Sequence, residues 1–130
     1  MAKILIIDDN QVFLDSLCAH IAENFPAIEV ITSNDPLKSL AAITPDLDLL
    51  LIDLEMPGMD GGKILNFAVE RGLPKGKIII LSGRDADYLH KKFPMGACLA
   101  VLNKSEAKQK KVFQMILNSL QKKSRPVKNP

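Results

Sequence analysis

Apolar residues along this chain keep two alternating rhythms. Short continuous runs (KILII at 3–7, LLLI at 49–52 and KIIIL at 77–81) lack the alternation of a half-exposed strand. They suit strands covered on both faces of a parallel sheet. Between them the apolar spacing widens to three and four residues. Phe13, Leu14, Leu17, Cys18 and Ile21 form such a stripe, the mark of an amphipathic helix. The pattern predicts strands over 3–8, 28–32, 47–53, 77–82 and 98–103. It predicts helices over 11–24, from a cap at Asn34 or Asp35 to 43, and over 62–71, 85–93 and 106–120. The last helix should turn Val112, Phe113, Ile116 and Leu120 inward. Strand and helix alternate throughout, so the expected class is α/β: five βα units in a doubly wound parallel five-stranded sheet, layered α/β/α.

Punctuation supports these boundaries. Pro36 falls in a first helical turn, where its missing N–H costs nothing. Gly72 follows the third helix and Pro94 the fourth. The end of the chain, QKKSRPVKNP at 121–130, has no apolar period and two prolines, so it reads as a linker or disordered tail. The domain reading is 2–121 for the folded unit and 122–130 for the basic tail.

Composition changes this picture little. Of 130 residues, 47% are hydrophobic and 25% charged, enough apolar material for one core. No apolar run approaches the roughly 18 residues that span a bilayer, and MAKILIIDD lacks a signal-peptide pattern. Cys18 and Cys98 have neither metal nor disulfide spacing and are expected to be buried small hydrophobes. A cytoplasmic protein without membrane contact is the expectation. Charge is uneven: residues 1–103 hold nine Lys/Arg against fourteen Asp/Glu, net −5, whereas 104–130 hold eight against one, net +7. A nucleic-acid surface is one reading of that basic end, and a solvated helix face with a soluble tail the other. No aromatic interleaves with the basic residues of 118–130, so base stacking has no support.

Chemistry enters at the strand ends. Asp8 and Asp9 close the first strand, Asp53 the third and Ser82 the fourth, and Lys104 follows the fifth. In an open parallel sheet, ligands bind at the carboxyl ends of the strands. If the first and third strands are neighbours, three carboxylates converge. Two ionised carboxylates about 4 Å apart repel by roughly 4 kcal/mol at an effective dielectric near 20. A hard divalent cation relieves that repulsion, and Mg²⁺ takes one or two carboxylates while keeping waters and phosphate oxygens. Singly, Asp8 or Asp9 could cap the first helix, Ser82 could cap a loop, and Lys104 could be a surface lysine. His20 and His90 have no metal-type partner spacing.

IIDD at 6–9, DLEMPGMDG at 53–61, LSGRD at 81–85 and the isolated Lys104 together resemble the receiver domain of two-component response regulators, of the CheY-like superfamily. The resemblance covers roughly residues 2–121 and implies a flavodoxin-like (βα)₅ fold. It implies a phospho-accepting switch rather than an enzyme with turnover on other substrates. Asp53 would take the phosphoryl group of a partner histidine kinase or phosphotransfer protein. Mg²⁺ would sit on Asp8, Asp9, Asp53 and the backbone carbonyl of Glu55, while Ser82 and Lys104 would meet phosphoryl oxygens. Implied partners are a downstream protein or a covalently attached output domain, with DNA reached only through such a domain, and a second copy on phosphorylation. The alternative is the receiver half of a DNA-binding transcriptional regulator with a helix-turn-helix output. The chain departs from the family at Val101, where an aromatic is usual, and at Ser105, where proline commonly follows the lysine. Glu55 and Arg84 would flank the pocket mouth, with opposite charges and the reach to pair across it.

Overall fold

The computed structural model describes residues 1–124. Five strands, β1 (Ala2–Ile7), β2 (Ile28–Ser33), β3 (Leu49–Asp53), β4 (Ile78–Ser82) and β5 (Ala100–Asn103), form one parallel sheet in the order β2-β1-β3-β4-β5. Five helices connect or follow them: α1 (Gln11–Asn24), α2 (Pro36–Ala42), α3 (Gly61–Glu70), α4 (Ala86–Lys92) and α5 (Lys111–Ser124). A minimal hairpin pairs Glu55–Met56 with Met59–Asp60 between β3 and α3. This is the flavodoxin-like (βα)₅ fold that the resemblance implies.

Alternation along the strands explains the continuous apolar runs. Ile4, Ile6, Leu49, Leu51, Ile79 and Leu81 face one layer, where Leu14, Leu17 and Ile21 of α1 and Phe113 and Leu117 of α5 cover them. Leu5, Ile7, Leu50, Ile52, Ile78 and Ile80 face the other, under Ile64, Leu65 and Ala68 of α3 and Leu89 of α4. Each such side chain contributes roughly 1.5–3 kcal/mol on burial, so the sheet must be covered on both sides. Asn10, Asp35, Asp60 and Asp85 cap α1 to α4 through their side-chain oxygens. Gly72 at φ +98° ends α3 in a conformation that β-carbons disfavour.

Five details differ from the sequence reading. The cap of α1 is Asn10, not Asp8 or Asp9. Residues 107–109 make a single 3₁₀ turn, with Ala107 buried in the core, and α5 begins only at Lys111. The helix then continues through Ser124, past the expected boundary at 121, with the Gln121 carboxamide oxygen accepting the Ala27 N–H at 3.3 Å. Its buried stripe is Phe113 and Leu117, while Val112 and Met115 are exposed. Cys18 and Cys98 are free but only half-buried. The tail expectation for 125–130 lies outside the described residues. None of the described helices is long and apolar enough to cross a membrane.

Candidate functional site

Strand register brings the polar residues together. Ile7 pairs with Ile52, so Asp8, one residue on, emerges beside Asp53. Asp53 pairs with Leu81, which sets Ser82 one step further out on β4. Ser82 pairs with Asn103, and Lys104 follows, its N–H donating to the Ser82 carbonyl at 2.9 Å. One carboxylate oxygen each of Asp8, Asp9 and Asp53 lies within 4.8 Å of the others. Asp8, Asp53 and Ser82 are buried and Asp9 is exposed, so the cluster opens to solvent on one side.

The charges within the cluster are unevenly matched. Lys104 Nζ stands 2.6 Å from Asp8 Oδ2 and 3.6 Å from Asp53 Oδ2, and lies 4.7 Å above the centre of the Phe13 ring. Asp8 Oδ1 accepts the Asn10 N–H at 2.9 Å, but beyond the ammonium no hydrogen-bond donor among the described residues reaches the buried Oδ2. Asp53 Oδ1 accepts the Glu55 N–H at 3.2 Å. Burial, reinforced by the negative Asp8, pushes the Asp53 pKa up to about 7, against the pull of Lys104. For Lys104, burial pushes the ammonium down. The hydrogen bond to Asp8 and the charges of Asp53, Asp8 and Asp9 outweigh it and hold the pKa above the usual lysine value. One lysine against three carboxylates leaves an all-oxygen donor set short of positive charge. Three clustered carboxylates with one ammonium between them, and the raised Asp53 pKa, fit a hard divalent cation such as Mg²⁺.

The backbone around Asp53 is held tightly. A β-carbon on Gly61 would lie 2.6 Å from the Asp53 carbonyl oxygen and 2.8 Å from the Leu54 α-carbon. Glycine is therefore required for α3 to start against the end of β3. Gly58, at φ +81°, makes the hairpin turn that brings the chain back.

Glu55 and Arg84 are both at the mouth, yet they do not pair with each other. The Glu55 carboxylate receives the Ser82 hydroxyl at 2.7 and 2.8 Å and the Gly83 N–H at 3.2 Å. The Arg84 guanidinium instead lies over the Tyr88 ring, 3.9 Å from its centre. Sequence reasoning missed this engagement of Glu55 with Ser82. Its only sequence signal is that both sit at strand ends facing one pocket. His90 is exposed and His20 half-buried, with His20 Nε2 3.2 Å from the Gln114 amide nitrogen.

Comparison with known proteins agrees with this geometry. Residues 4–116 match the family model of the response regulator receiver domain. The chain is 31% identical over 132 residues to the two-component response regulator ARR12 of Arabidopsis thaliana, covering 95% of this chain and 21% of that protein. It is 41% identical over 86 residues to a glycerol metabolism activator of Pseudomonas putida, covering 63% of this chain and 38% of that protein. The chain thus spans well under half the length of these relatives. Among solved structures, a CheY-like receiver domain protein from Methanospirillum hungatei superposes with a TM-score of 0.74 at 25% identity, over 96% of this chain and 99% of that one. A Francisella response regulator receiver domain superposes with a TM-score of 0.76 at 23% identity, over 96% and 100%. Receiver domains bind Mg²⁺ at an acidic cluster of this kind, and response regulators work with histidine kinases or phosphotransfer proteins and with output domains. A strand-end cluster of three acids, a serine and a lysine on this sheet order, together with a family match over 4–116, makes the chain a member of the response regulator receiver domain family.

Proposed function

We propose that Asp53 is the phosphoacceptor of a histidine–aspartate phosphorelay and that the chain is a switch without turnover on other substrates. The observation that carries this is the Asp53 carboxylate itself: buried at a strand end, with an ammonium 3.6 Å away and two further carboxylates in reach. An Asp53 oxygen attacks phosphorus, the phosphorus–nitrogen bond of a phosphohistidine breaks, and the imidazole leaves. Asp8, Asp9, Asp53 and the Glu55 backbone carbonyl would hold Mg²⁺, which supplies positive charge to the phosphoryl oxygens. Lys104 adds a second cation, and Ser82 a hydroxyl donor to a third oxygen. Phosphoryl transfer passes through a loose transition state, so positioning and cationic stabilisation are what the site has to provide. Without the cation, burial and the Asp8 charge hold the Asp53 pKa above the usual carboxylate value, which disfavours the anionic nucleophile as well as removing charge stabilisation.

The receiver unit is taken to run from residue 2 to the end of α5 at Ser124, past the expected boundary at 121. Sensor kinases or phosphotransfer proteins act upstream, in the cytoplasm, and a separate protein or a covalently attached output domain acts downstream. The greater length of the Pseudomonas and Arabidopsis relatives favours the attached form, with any DNA contact made by that domain. The test is mass spectrometry after incubation with acetyl phosphate. Wild type should gain one phosphoryl group with Mg²⁺ and none with a chelator, and Asp53→Asn should gain none. Equal labelling of Asp53→Asn would remove the assignment.

A further inference from the structure

The Ser82 hydroxyl has one proton and is already committed. It donates to the Glu55 carboxylate at 2.7 and 2.8 Å, and the same carboxylate takes the Gly83 N–H at 3.2 Å. A hydroxyl carries a single O–H donor. Ser82 therefore cannot serve Glu55 and a phosphoryl oxygen on Asp53 together. Its oxygen also accepts the Arg84 N–H at 3.0 Å, so the hydroxyl holds the backbone of the β4–α4 loop. Arg84 in turn lies over Tyr88 of α4, and Tyr88 and Val101 of β5 pack against the same core layer. A continuous set of contacts thus runs from Glu55 through Ser82 and Arg84 to Tyr88.

We infer that Glu55 is a positioning residue, a latch that holds Ser82 and Gly83 in the unphosphorylated arrangement and is released when Asp53 is phosphorylated. The inference rests on Asp53 being the phosphoacceptor. A phosphoryl group carries roughly −1.5 to −2 charges and three acceptor oxygens. It competes for the Ser82 proton and repels the carboxylate of Glu55, the residue whose backbone N–H donates to Asp53 Oδ1 at 3.2 Å. Once Ser82 turns, the Arg84 N–H loses its acceptor and the Arg84–Tyr88 stack shifts. Tyr88, stacked under the Arg84 guanidinium, is where the change reaches α4.

The chain carries its own reporter, since Tyr88 is the single tyrosine and there is no tryptophan. The experiment follows Tyr88 emission and the Gly83 amide resonance in the full chain, with and without acetyl phosphate and Mg²⁺. In wild type both should move on loading. Glu55→Ala should move both before any donor is added, toward their loaded positions. It should also acquire phosphate roughly fivefold faster, the shift expected when one charge-assisted hydrogen bond no longer favours the closed form. Glu55→Gln keeps an oxygen that can accept from Ser82 and Gly83, and should stay near wild type before loading. The latch is overturned if Glu55→Ala without donor leaves Gly83 and Tyr88 at their wild-type positions. It is equally overturned if wild type loads Asp53 and neither signal moves. Failure of wild type to gain phosphate by mass would overturn the phosphoacceptor reading instead. The unloaded comparison of wild type with Glu55→Ala decides the latch in that case too.

Discussion

Lys104 Nζ and Asp8 Oδ2 stand 2.6 Å apart, with the carboxylate shut off from solvent and the lysine side chain about one-fifth exposed. The lysine closes on Asp8 more tightly than on Asp53, so in the unmodified protein its charge chiefly offsets the innermost acid. Replacing one partner of a buried pair leaves the other without compensation. Lys104→Met should therefore lower stability by roughly 2–4 kcal/mol, softened by the lysine's partial exposure. Urea denaturation at neutral pH checks this. Adding Mg²⁺ should recover part of the loss, and Asp8→Asn in the same background should recover part without metal. A Lys104→Met protein as stable as wild type would show that the pair contributes nothing.

Asp53 gives stability a pH dependence of definite sign. Its pKa is near 7 in the folded chain against 3.8 for the free group. The folded state thus holds more protons between these values, and metal-free stability falls as pH rises through that window. Asp53→Asn removes the penalty. It should match wild type most closely near pH 4 and exceed it above pH 7, by on the order of a few kcal/mol. Denaturation curves in chelator across this range give the comparison. A difference that does not grow with pH would contradict the buried, raised carboxylate.

Gly61 and Gly76 offer a paired test of backbone crowding. A methyl on Gly61 meets the Asp53 carbonyl oxygen at 2.6 Å, whereas one on Gly76 meets nothing within 4 Å. Gly61→Ala should cost roughly 1–3 kcal/mol and weaken Mg²⁺ binding by displacing the end of β3. Gly76→Ala should stay within about 0.5 kcal/mol of wild type. Calorimetry with and without Mg²⁺ separates the two, and equal behaviour would mean the crowding is relieved by easy movement.

Truncation locates the end of the folded unit. Ending the chain at Ser124 keeps α5 whole and should leave the melting temperature unchanged. Ending it at Leu120 removes Gln121, strips the Ala27 N–H of its acceptor, and shortens the helix by its last turn. That truncation should cost about 1 kcal/mol. Identical melting of the two would return the boundary to 121.

What the sequence made legible follows from which forces act locally. Strands 49–53 and 78–82 are apolar at every position until the polar end residue, because neighbours cover both faces. Covered strands of this kind are read directly from the chain. Asp8, Asp53 and Ser82 were legible for the same reason, each being the first polar group after such a run, whereas Lys104 follows Asn103 at the end of the less covered β5. The start of α5 was not. Residues 106–110 carry helix-forming Lys, Glu, Ala and Gln, and only tertiary packing of Ala107 turns them into a 3₁₀ step. The direction of the Glu55 side chain was equally hidden. Arg84 and Ser82 are both plausible partners from spacing alone. Ser82 and Gly83 engage it together, while Tyr88 takes the guanidinium.

The small hairpin before α3 has a chemical consequence of its own. It carries two of the five methionines: Met56 is 7% exposed and Met59 half-covered, while Met95 and Met115 stand in solvent. Thioether oxidation follows access. Peroxide will convert Met95 and Met115 at the rate of free methionine, leaving the core untouched, and will reach Met56 only when the segment after Asp53 lifts from the sheet. The order in which sulfoxides accumulate is therefore a clock for motion of the loop after Asp53, readable by peptide mapping without any label.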